Sequence, residues 1–172
     1  MADYRKLIPI IKKWEGGWAN DKDDLGGATM MGVTIGTYTD YCRRKGKIKP
    51  SNEDLRNITE EEWEDIFKTL YWDRWKADEI ENQSIANILV DWVWASGVHG
   101  IKRPQRMLGV VDDGIVGKNT LKAVNNYPPE ELFAGIVADR EMFIEHIINR
   151  RPANAKFRNG WLNRIRDFRY EK

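Results

Sequence analysis

The stretch SIANILVDWVWASG, residues 84 to 97, is apolar on nearly every side of a helix and ends on a glycine. A helix without a polar face has to be surrounded by other elements, and a glycine in the capping position ends it. Neither this run nor any other apolar run in the chain approaches membrane-spanning length. The stretch therefore predicts a buried central helix ending at Gly97. Asp91, inside it, needs a partner, because a carboxylate at that depth is costly alone.

The elements that surround such a helix are legible by their period. Tyr4, Leu7, Ile8, Ile11 and Trp14 recur at spacings of three and four, with Asp3 as the expected N-cap and Pro9 expected to kink or delay the helix. Thr59 and Glu62 read as a capping box, and Trp63, Ile66, Phe67, Leu70 and Tyr71 continue the apolar face behind it. A loop, VDDGIVG, precedes a helix that opens near Lys118, and a long amphipathic helix runs from Pro129 to Arg150, begun by Pro128-Pro129. A last helix carries Trp161, Leu162, Ile165 and Phe168. Between Gly97 and the loop the sequence reads as a short link containing Pro104. Residues 18 to 36 are rich in Gly, Asp and Asn with a β-prone end, and read as an irregular loop or small hairpin. With 172 residues, one domain is expected, mainly α, with that small irregular or β-hairpin segment after the first helix.

Charge and composition exclude several functions. The 28 Lys and Arg against 27 Asp and Glu leave a formal charge of +1, so affinity for nucleic acid through phosphate neutralisation is not expected. Cys42 is the only cysteine, which rules out an internal disulfide. His99 and His146 lie far apart without a Glu-x-x-His or Cys-x-x-Cys pattern, so neither a metal nor another cofactor is expected. The Gly-x-x-Gly-Lys fragment in DDGIVGKNT lacks full phosphate-loop spacing. The N-terminal MADYRKLIPIIKKWEGG has no apolar core of signal-peptide length, which predicts synthesis in the cytoplasm without an ordinary secretion signal and no stable membrane insertion.

Chemistry is suggested by Glu15. It falls four residues after Ile11 and seven after Ile8, so a continuing helix would project it from the apolar face. An apolar face and the negative end of a helix both disfavour an ionised carboxylate. A protonated glutamic acid is the group that donates a proton to the leaving oxygen of a glycosidic bond. Gly16 and Gly17 are expected to stop the helix and to leave room beside the carboxyl group for a bulky polymer. The second carboxylate of such a site would come from the acidic loop, from Asp24 foremost, with Asp23 and Asp21 as neighbours. Thr29 and Thr34 are candidates to hold a water or a sugar hydroxyl, although threonines in a hairpin are more often ordinary strand residues.

The order Glu15-Gly16-Gly17-Trp18, Asn20-Asp21, then Asp24-Leu25-Gly26-Gly27-Ala28-Thr29-Met30-Met31-Gly32-Val33-Thr34 resembles the lysozyme-like N-acetylmuramidases of glycoside hydrolase family 108. The later stretches YWDRWKADEI (71 to 80), VDWVWASG (90 to 97), VDDGIVGKNTLKAVN (111 to 125) and FRNGWLNRI (157 to 165) resemble further landmarks of the same proteins. The likeness implies a mainly helical lysozyme-like domain, with a catalytic part over residues 1–98 and a predicted peptidoglycan-binding segment over 99–172 packed on the same core. It implies cleavage between N-acetylmuramic acid and N-acetylglucosamine, with Glu15 as catalytic acid and Trp72 and Ser96 near the substrate; the residues themselves add Asp24 and Thr29 as catalytic candidates and Gly16, Gly17 and Thr34 as substrate contacts. Peptidoglycan strands would be the partner, at the cell wall or in the periplasm, reached through a holin or at lysis as for a prophage endolysin. Some members carry the label secretion activator. The competing reading is a non-catalytic wall-binding or regulatory protein with the same fold.

Overall fold

The computed structural model describes residues 1–22 and 26–172. The described residues are mostly helical, with a small three-stranded antiparallel sheet. They form two compact units, Arg5–Tyr71 and a second made of Met1–Tyr4 with Trp72–Lys172.

The unit Arg5–Tyr71 opens with α1 (Ile8–Trp14), which buries Leu7, Ile8 and Ile11. Its N-cap is Leu7, not the expected Asp3, because Pro9 fits only in the first turn, where a missing N–H breaks no helical bond. Strands β1 (Trp18–Ala19), β2 (Thr29–Met30) and β3 (Val33–Thr34) follow in that spatial order. Trp18 opposes Met30, and Met30 opposes Val33; Ala19 opposes Thr29, and Thr29 opposes Thr34. Opposed residues share a face, so Thr29 and Thr34 lie on the face away from the fully buried Val33. The β2–β3 turn is Met31-Gly32, with φ of 46° and 81°, the two left-handed residues that a two-residue hairpin turn demands. Methionine is disfavoured there, and the indole N–H of Trp63 donates to the Met31 carbonyl at 3.0 Å, which helps hold the turn.

Thr34 ends the sheet and caps α2 (Ile35–Arg44), and α3 (Asn52–Arg56) and α4 (Glu60–Phe67) follow. The reciprocal capping box is at α3, where Ser51 accepts from the Asp54 N–H at 3.1 Å and Asp54 accepts from the Ser51 N–H at 2.8 Å. At α4 only half of the expected box forms. Thr59 accepts from the Glu62 N–H at 3.1 Å, while the Glu62 carboxylate accepts from the Tyr38 hydroxyl at 2.7 Å. Tyr41 donates in the same way to Asp65 at 2.5 Å, so two phenols on α2 hold two carboxylates on α4.

In the second unit α5 (Gln83–Ser96) is the buried central helix that its composition predicts, capped by Asn82 and ending at Gly97. It packs against α6 (His99–Leu108) and α8 (Pro129–Arg150). The expected link around Pro104 is in fact α6, with the proline inside it. Proline cannot donate to the carbonyl four residues back, which is Gly100, and the Trp75 indole N–H donates to that carbonyl at 3.3 Å. Gly100 is also where the two helices touch, since a Cβ there would meet the Val93 nitrogen at 2.5 Å. α7 (Lys118–Asn126), α8 and α9 (Arg158–Asp167) fall where the periodicity puts them, and Ile144 and Ile148 of α8 pack with Ile165 of α9. No helix among the described residues is long and apolar enough to cross a membrane.

Candidate active site

Glu15 lies at the C-terminal end of α1 as its cap, half-buried, with φ −98° and ψ 137° and its N–H donating to the Lys12 carbonyl at 3.3 Å. The helix therefore stops one residue earlier than expected. Glu15 leaves the helical path in an extended conformation and does not continue the apolar face, and neither Gly16 nor Gly17 adopts the left-handed backbone of a glycine cap. What the two glycines do is keep space open. Both are exposed, and a Cβ added at either would meet no heavy atom of the described residues within 4 Å. The chain then enters the sheet directly, with the Gly17 carbonyl accepting from the Met31 N–H at 3.3 Å and Trp18 paired to Met30. The Arg56 guanidinium sits 5.7 Å from the centre of the Trp18 ring. Sheet, turn and α4 thus fix the far end of the Glu15-Gly16-Gly17-Trp18 segment.

The remaining candidates divide. Thr29 is half-buried on β2, opposite Thr34. The Thr34 hydroxyl accepts from the Thr37 N–H and donates to the Thr37 hydroxyl, both at 3.1 Å, so it closes the start of α2 where a substrate contact was expected. Asp24 and Asp23 lie outside the described residues. Trp72 and Ser96 belong to the second unit. Trp72 has 0% exposure, its indole N–H donates to Asp78 at 2.8 Å and its ring meets Tyr4 edge-on at 6.3 Å. A ring packed on all sides has no face for a sugar, so the structure makes Trp72 a core residue where a stacking platform was expected. Ser96, half-buried at the end of α5, lines a cavity of about 120 Å³.

The sequence marks Asp91 as needing a partner without naming the partners, and it gives no sign of Gln105. Asp91 is fully buried, and its partners are Arg140 at 3.0 Å and Arg164 at 2.7 Å. Burial, the largest effect, pulls Arg140 below the ordinary guanidinium range, and Asp91 opposes the shift. Arg140 was visible as a cation four residues after Ile136 and four before Ile144, inside an apolar stripe. Gln105, also fully buried, clamps the loop before α7: its amide N–H donates to the Ile115 carbonyl at 3.0 Å, and its oxygen accepts from the Gly114 N–H at 2.9 Å. Among the described residues no group of three or more His, Cys, Asp or Glu is placed to hold a metal ion.

The family model described as Glycosyl hydrolase 108 matches residues 8–97, more than half of the chain and all of the Glu15 segment. The chain belongs to glycosyl hydrolase family 108. A second model, Predicted Peptidoglycan domain, matches residues 99–166 of this family 108 protein. Among solved structures the chain is similar to SagA of Brucella abortus, at 25% identity over 96% of this chain and 90% of that one, with a TM-score of 0.82. No curated protein sequence matches the chain significantly. Membership makes the protein a glycosidase in kind, and the second match ties it to peptidoglycan. The two family matches meet after α5, whereas the two compact units meet before it, between Tyr71 and Trp72. By family α5 belongs with the glycosidase segment; by packing it belongs with the helices that follow.

Proposed function

We propose that this protein is a peptidoglycan hydrolase that cleaves the bond from N-acetylmuramic acid to N-acetylglucosamine, with Glu15 as the general acid. The observation that carries the reading is a half-buried glutamate, Glu15, at the end of α1, followed by two exposed glycines with open space among the described residues where side chains would stand. In this reading the Glu15 carboxyl gives its proton to the glycosidic oxygen as the bond to C1 breaks, and water adds to the sugar. Asp24 supplies the negative charge that steadies the oxocarbenium-like transition state or positions that water. Thr29, on the outer face of the sheet, is a polar strand residue of the same motif and serves substrate or water. The family 108 match and the peptidoglycan-domain match support the substrate class. Exit through a holin or at lysis, as for a prophage endolysin, is the route we infer to the wall.

Purified peptidoglycan digested with the protein and then reduced with borohydride tests the bond directly. Reduced muramic acid at the new ends is the expected product. Reduced glucosamine would reassign the bond, and the absence of new ends would leave the wall-binding reading in its place. Asp24→Asn is expected to lower the release of ends by roughly 10²-fold or more with little change in melting temperature, with Asp23→Asn as the matched control. Equal loss in both variants would make the effect a general one of loop charge.

A further inference from the structure

The loop between α6 and α7 is held more firmly than a connection needs. Gln105, fully buried in α6, donates its amide N–H groups to the Ile115 carbonyl at 3.0 Å and the Thr120 hydroxyl at 3.2 Å, and accepts from the Gly114 N–H at 2.9 Å. Gly114 has φ 76°, and a Cβ there would stand 2.6 Å from the Val98 side chain, so the loop lies against the start of α6 where only glycine fits. At the surface the Arg106 guanidinium pairs with Asp112 at 2.6 Å. A connection fixed from inside in this way presents a fixed outer face.

That face carries a cavity of about 540 Å³, within the roughly 300–1,000 Å³ of small-ligand clefts. Its apolar walls are Val110, Val111 and Ile115, and the last two are 74% and 71% exposed while the adjacent Val116 is buried. Single exposed apolar residues are ordinary on a surface, but two on one clamped loop, lining one cavity, form a patch that the fold leaves uncovered. The polar side chains of the lining are the Asp113 carboxylate, the Lys118 ammonium and the Asn119 amide, all on exposed residues. The bonds that fix Asp113 within the loop, from the Ile115 N–H at 2.9 Å and the Gln105 amide at 3.3 Å, both fall on Oδ1. Gly109, Gly117 and the buried Thr120 complete the wall.

These walls suit a neutral ligand with apolar faces and polar edges. Asp113 and Lys118 are the charged residues of the lining and offset each other, so the cavity offers no net charge to a charged wall peptide. A pyranose ring has C–H faces that pack on aliphatic side chains, and hydroxyl and acetamido groups at its edge that pair with a carboxylate, an amide and an ammonium. Walls already held in place lower the ordering cost of binding it. We propose that this cavity binds an N-acetylated amino sugar of the glycan strand, so that the second unit holds peptidoglycan by its sugars, on a different unit from the Glu15 segment. The assignment rests on the peptidoglycan reading given above, since the whole lining falls inside the stretch 99–166 that the peptidoglycan model matches, and its test is independent of hydrolysis.

Amide-shift mapping of the intact Glu15→Gln protein, titrated with tri-N-acetylchitotriose, reads the site without turnover. Saturable shifts over residues 109–120 are expected. Val111→Ser combined with Ile115→Ser removes two exposed aliphatic walls, and should weaken binding at these amides by about tenfold or more at an unchanged melting temperature. The same pair in the otherwise wild-type chain should lower retention on insoluble peptidoglycan. No shift over residues 109–120, or a doubly substituted protein that binds as tightly as its parent, overturns the site. Shifts there with the wall dipeptide L-alanyl-γ-D-glutamate and none with the sugar would overturn the sugar assignment in favour of a peptide one. A wild-type protein that cleaves peptidoglycan but shows no sugar binding at these residues refutes the site alone, whereas saturable binding there by a protein that releases no reducing ends refutes the hydrolase reading alone.

Discussion

The two compact units are held together by different means. In Arg5–Tyr71, around an apolar core that includes Leu7, Ile11, Leu55, Trp63, Ile66 and Phe67, the polar joints lie nearer the surface: a capped sheet, a reciprocal capping box at α3, and two tyrosine hydroxyls on the carboxylates of α4. In the second unit the polar groups are internal: Asp91 with two arginines, and Gln105 inside the loop that it clamps. The unit with the candidate acid is thus built around short elements that place the half-buried Glu15 next to two exposed glycines. The unit matched in large part by the peptidoglycan model is built around a buried helix that cannot shift without breaking an ion cluster. Precise placement of one group and broad mechanical support call for different interiors, and this chain contains both.

Breaking the ion cluster should have the largest effect on stability. Asp91→Asn keeps the volume but leaves two guanidiniums facing an amide, and loss of one member of a buried pair costs about 3 to 5 kcal/mol. Chemical denaturation measures it, and a loss below about 1 kcal/mol would show that the cluster is not what ties α5 to α8 and α9. Trp72→Ala is expected in the same range, about 3 to 5 kcal/mol, if Trp72 is core as its burial indicates. Loss of wall binding with unchanged melting would restore the stacking role.

Next comes the loop clamp. Gln105→Ala removes partners from the Gly114 N–H and the Thr120 hydroxyl together and should cost about 1 to 3 kcal/mol. Proteolysis should then cut between Gly109 and Gly117 before it cuts elsewhere in the second unit, and uniform cleavage would deny the clamp its local role.

The smallest effect is on the other unit and depends on pH. Burial and the Asp65 carboxylate push the Tyr41 hydroxyl above the ordinary phenol range, so its bond stabilises the fold fully below pH ~10 and is lost as pH rises through the raised value. The same hydroxyl, with the Lys45 ammonium, holds Asp65 below the ordinary carboxylate range, so that contribution is present above pH ~4 and fades as pH falls through the lowered value. Tyr41→Phe should cost about 1 kcal/mol at neutral pH, given a half-exposed carboxylate, and should flatten both limbs of the stability profile. Unchanged limbs would remove the phenol–carboxylate pairs from the account of this unit.

What could be read from the sequence follows the same division. Long elements with a full period were legible, as α8 from Pro129 to Arg150 and the buried α5 up to Gly97 show. α6 was missed because Pro104 argues against a helix, and its compensation, an indole donor from Trp75 to the Gly100 carbonyl, comes from twenty-five residues before Gly100. The half-formed box at α4 was misread because the Tyr38 hydroxyl competes for Glu62 from another helix. At the candidate site the glycines and the position of Glu15 at a helix end were legible. The early stop of α1 was not, since it follows from the pairing of Gly17 and Trp18 with Met31 and Met30, farther along the chain. Thr34 was given to substrate for its hydroxyl and Trp72 on resemblance, and a helix cap and a core took them instead.

The claim at the centre of this account is that Glu15 gives a proton to the glycosidic oxygen, and Glu15→Gln tests it most directly. The amide has the volume of the acid and no acidic proton, so release of reducing ends from purified peptidoglycan should fall by about 10²- to 10⁴-fold while melting temperature and retention on the insoluble wall stay at their wild-type values. Release of ends at a rate near that of the wild type would contradict the account outright.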